Sequence, residues 1–160
     1  MSKRGQSRQD YGTPRPFLDA VQRRFGEIVH DLAASHENAV HASYYTEKDD
    51  ALSYPWALHW RGGRLLWLNP PFADIAPWAK KCAEESARGA KIAMLTPASI
   101  GSAWYREHVH GKAYVFGIAP RLTFAGEKDP YPKDLMLSLF TPEGYSGLEP
   151  WRWLDWKRPE

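Results

Sequence analysis

The sequence predicts an α/β fold: a three-layer sandwich in which helices cover both faces of a mainly parallel sheet that ends in an antiparallel hairpin. Apolar runs of strand length alternate with segments whose apolar residues recur at helical spacing. Such alternation is typical of βαβ units, whose crossover helices pack on a parallel sheet. Near the C-terminus the stretches 121–124 and 135–140 are separated by Gly, Pro and Asp residues without a helix. These two stretches predict the hairpin.

The length and composition indicate a single core and limit the class of protein. A chain of 160 residues buries enough surface to fold without disulfides or metals. Its single cysteine, Cys82, is expected to be buried, and its Cys and His residues show no metal-site spacing. No apolar run approaches the roughly 18 residues of a membrane span, and residues 1–10 lack the apolar stretch of a signal peptide. We therefore expect a metal-free, cytoplasmic protein without a membrane partner.

The chain divides into three predicted regions. Residues 1–12 are polar and basic with little to bury, which predicts a flexible tail. Residues 13–142 contain the alternating elements and form the predicted domain. Residues 143–160 are too short for a second domain and form a Trp-rich C-terminal extension. The formal net charge of +2 is too mild to require a nucleic-acid partner.

The first elements are a helix and a strand. Thr13-Pro14 is a typical helix start, and apolar residues then recur at helical spacing over 15–25. The partly β-branched stretch 27–31 predicts a strand that ends at an aspartate and continues into a loop of small residues. The periodicity over 36–60 is poor, and it predicts one weak helical stretch at 38–43 within a loop.

The central part of the chain has the clearest pattern. After a Gly-Gly turn, residues 64–68 are apolar enough for a central strand buried on both faces. From Ile75 to near Gly89, apolar residues fall on one face of a predicted helix. The elements predicted next are a strand at 91–95, a helix at 99–109 and a strand at 113–118.

The segment Asn69-Pro70-Pro71-Phe72 is the most specific signal. Its two prolines fix φ and remove two amide donors where the chain leaves a buried strand. One interpretation is a plain turn. The other is a catalytic loop, in which the Asn69 oxygen and a proline carbonyl accept hydrogen bonds from the exocyclic amino group of a flipped base while Phe72 stacks on its ring. The carboxyl end of a strand in an open α/β sheet favours the second interpretation.

Other short motifs follow one another in a distinctive order. They are Thr13-Pro14, Asp31-Leu32-Ala33-Ala34, Glu37-Asn38, Tyr45-Thr46, Asp50-Ala51-Leu52, Trp56 or Trp60, the Asn-Pro-Pro-Phe loop, Ile75 with Trp78, and Arg121-Leu122-Thr123-Phe124. In this order they resemble the phage-type DNA N6-adenine methyltransferases, the Dam-like family. The resemblance covers most of residues 13–140.

This resemblance implies a Rossmann-like class I methyltransferase that uses S-adenosylmethionine to methylate the exocyclic amino group of adenine in DNA. It implies that Asp31 contacts the methionine end of the cofactor, that Asp50 accepts a hydrogen bond from its adenine amino group, and that Thr13-Pro14 borders its carboxylate. The other implied site residues are Ala33 and Asn38 for the cofactor and Asn69, Pro70, Pro71 and Phe72 for catalysis. The ordinary alternatives are a helix cap for Asp31, a turn residue for Asp50 and an N-cap for Thr13.

One feature departs from the usual methyltransferase pattern. The glycine-rich loop that commonly follows the first strand is replaced by Ala33-Ala34-Ser35. Alanine still allows a cofactor to approach, though less closely than glycine. A degenerate methyltransferase fold that binds nucleic acid without catalysis is therefore one alternative. The loop chemistry also allows another target amino group, in cytosine, in RNA adenine or in a protein glutamine.

Double-stranded DNA is the partner that the resemblance implies. Arg121 and Lys133 flank the predicted hairpin and are candidates to contact phosphates, although charged residues also protect exposed strand edges. Little chain outside the predicted core is left to read bases, so we expect a short or relaxed recognition site. We expect a monomer, or a weak homodimer formed through the aromatic extension. For the six histidines we expect structural or surface roles.

Overall fold

The computed structural model describes residues 12–60, 62–145 and 151–158. The helices are α1 (Arg15–Phe25), α2 (Ala76–Ala87) and α3 (Ala103–His108), and short 3-10 turns cover Glu47–Asp49, Ala51–Ser53 and Trp56–His59. The strands are β1 (Ile28–Asp31), β2 (Leu65–Leu68), β3 (Ile92–Pro97), β4 (Tyr114–Ala119), β5 (Leu135–Phe140) and β6 (Arg152–Asp155). None of the helices in these described ranges has the length and hydrophobicity of a membrane-spanning segment.

The sheet has six strands in the order β1-β2-β3-β5-β4-β6. The first three strands are parallel to one another, β5 is antiparallel to both of its neighbours, and β6 is parallel to β4. The carboxyl ends of β1, β2 and β3 consequently meet at one edge of the sheet. That edge is where open α/β folds bind their ligands.

Helices lie on both faces of this sheet. Leu65 and Trp67 of β2 pack in the buried cluster that contains α1. Leu66 and Leu68 pack in the opposite cluster, which contains α2 with its buried Cys82, and α3. All the side chains of β2 are buried, as expected for a strand that is covered on both faces. The structure therefore has three layers, with β2 inside the sheet, as the sequence predicts.

Most predicted elements match the observed ones to within two residues, and among those that form, α3 differs most from its predicted bounds. The sequence predicts a helix at 99–109, but α3 begins only at Ala103. The Ser102 hydroxyl accepts a hydrogen bond from the Tyr105 amide at 3.3 Å and donates one to the Ser99 carbonyl at 2.6 Å. Ser102 is thus the N-cap, and the residues before it form a turn.

The predicted terminal hairpin is wrong. Residues 121–124 form no strand, and β5 pairs with β3 and β4 instead. Leu122 and Phe124 are buried against the α1 side of the core. The Leu122 carbonyl accepts a hydrogen bond from the Tyr131 amide, 2.7 Å away, within the connection between β4 and β5. Leu122 and Phe124 are buried apolar residues of a loop, and their spacing gives the same alternation that a strand shows.

The predicted helical stretch at 38–43 is also wrong. These residues form turns and bends, and the chain then returns beside β1. The Asp31 amide donates to the Ser43 carbonyl at 3.0 Å, and the Tyr45 amide donates to the Asp31 carbonyl at 2.9 Å. Hydrogen bonds to β1 take the place of the intrahelical bonds that the weak periodicity suggests.

The C-terminal extension contributes a strand that no sequence pattern predicts. β6 pairs with β4 so that Trp153 lies opposite Gly117, where a Cβ would be 2.5 Å from the Trp153 ring. Of the predicted tail, only Gly12 falls within the described residues, and its carbonyl accepts a hydrogen bond from the Ala125 amide at 2.8 Å. The division of the chain into tail, domain and extension stays a prediction.

We expect Gly26→Ala to destabilise the fold strongly. Gly26 ends α1 with φ 128°, and a Cβ there would lie 2.6 Å from the Gly63 carbonyl oxygen. Backbone must shift to relieve this contact, so we expect a loss of about 2 to 4 kcal/mol, or about 4 to 16 °C in melting temperature. Thermal denaturation measures the melting temperature. Gly62→Ala is the control, because a Cβ at Gly62 meets no atom within 4 Å. Equal melting temperatures for the two variants would contradict the prediction.

Candidate active site

A cavity of about 610 Å³ opens at the carboxyl ends of β1 and β2. This volume is typical of sites that enclose a small organic ligand. The predicted site residues that line it are Thr13, Asp31, Ala33, Asn38, Asp50, Asn69 and Pro71. Residues from distant parts of the sequence therefore meet in one place, at the edge of the sheet that the topology favours.

The two strands bring Asp31 and Asn69 to this cavity. Asp31 is the last residue of β1, and it pairs in register with Trp67 of β2. The Leu32 amide then donates to the Trp67 carbonyl at 2.9 Å, which holds the two strand ends together. Asn69 directly follows β2. Because the strands are parallel, both side chains reach the same edge of the sheet.

Asp31 is a buried carboxylate that supports the cavity wall. Its side chain accepts hydrogen bonds from the Ala33 amide at 3.2 Å and from the Val40 amide at 3.0 Å. Burial raises the pKa of Asp31 to about 7, although the same two hydrogen bonds act in the opposite direction. The helix-cap alternative is wrong, because the segment that these bonds hold is a loop rather than a helix.

The loop after β1 turns without glycine. The Ser35 amide donates to the Asn38 Oδ1 at 2.7 Å, and the Asn38 amide donates to the Ser35 Oγ at 3.2 Å. The Ala34 amide donates to the Tyr45 carbonyl at 2.8 Å. Asn38 therefore shapes the loop as well as lining the cavity. Side-chain hydrogen bonds provide the turn that glycine provides in the usual pattern.

Asp49 and Asp50 are adjacent but occupy different environments. The Asp49 carboxylate accepts hydrogen bonds from the Thr46 amide at 2.7 Å and the Thr46 hydroxyl at 3.0 Å, and these bonds lower its pKa. Asp50 lies between two 3-10 turns at φ 54° and lines the cavity. Among the described residues, none forms a hydrogen bond or an ion pair with the Asp50 carboxylate. The backbone of Asp50 thus forms a turn, while its carboxylate is accessible to a ligand.

The Asn69 loop places an amide side chain in the cavity lining, directly before two prolines that restrict the backbone. The Asn69 Nδ2 donates a hydrogen bond to the Thr13 hydroxyl at 3.4 Å. Pro70 is buried, and Pro71 lines the cavity while its carbonyl accepts a hydrogen bond from the Asp74 amide at 3.3 Å. The loop therefore presents Asn69 and Pro71 to the same space, as a catalytic loop requires.

Phe72 lies beside the cavity and does not line it. Its ring meets the Tyr131 ring edge-on, with the centroids 5.8 Å apart and the planes at 71°. Tyr131 in turn meets Phe124, with centroids 5.7 Å apart. The connection between β4 and β5 thus supports Phe72 from the side.

Three other predicted site residues lie outside the cavity wall. Pro14 is the N-cap residue of α1, so the N-cap alternative for Thr13 is wrong. Lys133 is exposed. The Arg121 guanidinium binds the Asp134 carboxylate at 3.1 Å and the Pro132 carbonyl at 3.3 Å. Both basic residues belong to the connection between β4 and β5 rather than to a hairpin.

The chain matches one known protein family and is similar to a curated phage protein. The model of the family described as "DNA N-6-adenine-methyltransferase (Dam)" matches residues 2–134. The chain belongs to this family. The DNA N-6-adenine-methyltransferase of Escherichia phage T1 is 29% identical over 133 residues, which are 83% of this chain and 54% of the phage protein. The chain thus spans about half the length of this curated relative.

The match to the Dam family confirms the resemblance that the motifs indicate. It spans α1, the cavity and the Asn69 loop, and it ends just before β5. Some cavity residues are absent from the site that the sequence predicts. Among them are Leu52, Trp67 and Trp78. Two sequence features could have identified the two tryptophans: Trp67 lies two residues before Asn69, and Trp78 belongs to the Ile75 and Trp78 pair of the family motif.

His30, Tyr45 and His59 form a cluster of ring side chains that do not line the cavity. His30 is buried and stacks on His59, with ring centroids 4.2 Å apart, and its Nδ1 lies 2.6 Å from the Ser43 hydroxyl. Tyr45 meets both histidines and forms a short hydrogen bond with His59. Burial, followed by the nearby His59 and His41, lowers the pKa of His30 to about 4. The structural role expected for His30 agrees with these contacts.

Proposed function

We propose that this chain is an S-adenosylmethionine-dependent methyltransferase of the Rossmann-like class I fold that methylates the exocyclic amino group of adenine in DNA. One observation carries the proposal: a single cavity joins the carboxylates of Asp31 and Asp50 to the Asn69 side chain at the end of a buried parallel strand. The family match and the name of the phage T1 relative support the same reaction.

The residues around the cavity suit this cofactor, which carries an ammonium and a sulfonium beside its carboxylate and nucleoside. The lining contains four acidic side chains, Asp31, Glu37, Glu47 and Asp50, and one lysine, Lys48. Asp31 would hold the methionine end and Asp50 the adenine amino group. Leu52 and Trp78 add apolar surface for a purine ring. Ala33 and Asn38 would border the cofactor along the loop after β1.

The Asn69 loop would orient the target amine. When bound, S-adenosylmethionine supplies an electrophilic methyl group. The amino group would donate one hydrogen bond to the Asn69 side-chain oxygen and one to a proline carbonyl, so that the nitrogen lone pair faces the methyl group. Pro70 and Pro71 lack amide hydrogens, so neither proline places a backbone donor of its own beside these acceptors. Phe72, supported by Tyr131, would stack on the flipped base.

We expect the affinity for the cofactor to fall at low pH because Asp31 must be ionised to hold an ammonium group. Burial raises the pKa of Asp31 from its ordinary value of 3.8 to about 7. Below about pH 7, binding must first remove a proton, so affinity falls by up to about tenfold per pH unit until the ammonium-bound pKa is reached. Calorimetric titrations from about pH 5.5 to about pH 8.5 span this range and measure the slope. A slope that persists unchanged in Asp31→Asn would contradict the assignment to Asp31.

Double-stranded DNA is the proposed substrate, with a short or relaxed recognition site read by a monomer or a weak homodimer. Lys133 is exposed, and Arg121 lies on the same connection with Asp134 as its partner. A DNA phosphate can replace the Asp134 carboxylate, since both are anions that match the guanidinium fork. The phage origin of the similar protein supports a reaction in the cytoplasm of a bacterium or of a phage-infected host cell.

Cofactor binding followed by methyl transfer tests the proposal. We expect saturable binding of S-adenosylmethionine by calorimetry and transfer of its labelled methyl group to duplex DNA, with no transfer to a glutamine-containing peptide. Absence of cofactor binding would refute the proposal in favour of the degenerate fold. Binding accompanied by transfer only to RNA or peptide would refute the DNA substrate.

A further inference from the structure

We propose that Thr13 is a positioning residue that fixes the orientation of the Asn69 amide when the cofactor is bound. The proposal rests on the proposed function, because it assigns Thr13 a task in that reaction. The observation behind it is the hydrogen bond from Asn69 Nδ2 to Thr13 Oγ1, at 3.4 Å between residues 56 positions apart. Both residues line the same cavity.

Thr13 stands on a rigid part of the fold. It immediately precedes Pro14, the N-cap residue of α1, and the Pro14 carbonyl accepts the first helical hydrogen bond from Leu18 at 3.1 Å. Phe17 and Leu18 in the first turns of α1 are almost fully buried. On the other side, Asn69 follows a strand whose side chains are all buried. The hydrogen bond therefore connects two fixed elements in the lining of one cavity.

The direction of this hydrogen bond matters for the chemistry. An asparagine amide has an acceptor end and a donor end, and only its oxygen can accept a hydrogen bond from the target amine. With its Nδ2 on Thr13, the amide points its oxygen elsewhere. The inverted amide would instead present N–H groups to the hydrogens of the amine, and the target nitrogen would lose an acceptor.

The Thr13 hydroxyl can couple this orientation to the cofactor. A hydroxyl both donates and accepts, so on its own it tolerates either orientation of the amide. Once its hydrogen is donated to an anionic group in the cavity, such as the carboxylate of the cofactor, the hydroxyl can only accept. It then requires the donor end of Asn69 and excludes the inverted amide. Binding of the methyl donor would in this way prepare the acceptor for the target amine.

Thr13→Val tests this coupling, because valine keeps the shape of threonine and removes the hydroxyl. At saturating cofactor and DNA, we expect its single-turnover rate to fall by about tenfold, since a misoriented acceptor costs rate rather than binding. Thr13→Ser should recover the rate to within about threefold of wild type. Thr141→Val is the matched control: its hydroxyl bonds the Gly144 carbonyl at 3.3 Å, after β5 and at the opposite edge of the sheet. It should leave the rate unchanged.

A second readout does not depend on methyl transfer. The side-chain amide resonances of Asn69, identified by their loss in Asn69→Ala, should shift and exchange more slowly with solvent when S-adenosylhomocysteine is added to the wild type. In Thr13→Val the same addition should leave the exchange rate nearly unchanged. If the wild type transfers no methyl group, the proposed function fails, and these resonances still decide the coupling.

Three outcomes would overturn the role of Thr13. One is a single-turnover rate for Thr13→Val within about threefold of wild type. Another is a weaker cofactor affinity with an unchanged rate at saturation, which makes Thr13 a cofactor ligand only. The third is the same cofactor-induced protection of Asn69 in Thr13→Val and in wild type. If Thr13→Val melts far below the wild type, Thr13→Ala takes its place in both measurements.

Discussion

Asn69→Ala is expected to abolish methyl transfer while leaving cofactor binding nearly intact. Asn69 is proposed to act on the target amine and not on the methyl donor. Loss of an oriented polar group in a catalytic site typically costs about 10² to 10³ in rate. We therefore expect the single-turnover rate to fall by at least about a hundredfold, with a cofactor dissociation constant within about threefold of wild type. Rapid quench with labelled cofactor and calorimetry measure the two quantities.

Phe72→Ala provides the comparison for this variant. Stacking of a base on an aromatic ring is worth about 1 to 3 kcal/mol. At tenfold in rate or affinity per about 1.4 kcal/mol, the loss should be about 5-fold to 150-fold. The middle of this range, about 30-fold, lies below the loss expected for Asn69→Ala. An Asn69→Ala enzyme that keeps a tenth or more of the wild-type rate would contradict the role of Asn69. A Phe72→Ala enzyme slower than Asn69→Ala would contradict the division of tasks within the loop.

Asp50→Gly is expected to weaken cofactor binding by about tenfold to a hundredfold, because a hydrogen bond to a charged group is worth about 1.5 to 3 kcal/mol. Glycine is the suitable replacement because Asp50 has φ 54°, which glycine adopts without strain. The substitution therefore removes the carboxylate and keeps the turn. Calorimetry with S-adenosylmethionine measures the affinity, and thermal denaturation shows whether the fold is retained.

Asp49→Ala is the matched control for Asp50→Gly. The Asp49 carboxylate bonds to Thr46, within the capping box of the first 3-10 turn, and does not line the cavity. Asp49→Ala should lower the melting temperature and leave cofactor affinity within about threefold of wild type. If both variants lose affinity equally, the turn is what matters and the adenine-binding role of Asp50 is wrong.

The elements that the sequence predicts best are those whose own residues determine their burial. The apolar run of β2 predicts a strand covered on both faces, and the stripes of α1 and α2 predict one buried side each. The position of Asn69 at the carboxyl edge follows directly from β2. Asp31 ends the first predicted strand, at 27–31. Because the sheet is predicted to be mainly parallel, the end of this strand is expected at the same edge as Asn69.

The elements that the sequence does not predict depend on distant partners. Leu122 and Phe124 alternate like a strand, but the core contacts that bury them come from elsewhere in the chain. β6 is short and contains the exposed Trp153, so its pairing with β4 depends on the room that Gly117 leaves for the indole ring. The segment 36–60 has weak local preferences, and its course is set by hydrogen bonds to β1 and by the stacked histidines.

In the candidate site as well, the residues that belong to local motifs could be predicted, whereas contacts between distant residues could not. Motif order places the predicted cofactor and catalytic residues in sequence, and most of them meet in the cavity. The contact between Thr13 and Asn69 could not be predicted, because no local pattern relates a helix start to a loop 56 residues later. The partner of Arg121 could not be predicted either, since Asp134 approaches it through the path of a long connection.

Nucleoside analysis of DNA methylated in vitro tests the central claim most directly. Unmethylated duplex DNA is incubated with the protein and S-adenosylmethionine, digested to nucleosides and analysed by mass spectrometry, with Asn69→Ala as the control. We predict that N6-methyladenine accumulates with the wild type, that methylated cytosine does not, and that the control shows neither. Methylation of cytosine alone, or no methylated base from a protein that binds the cofactor, would contradict the assignment of the cavity and the Asn69 loop to adenine methylation.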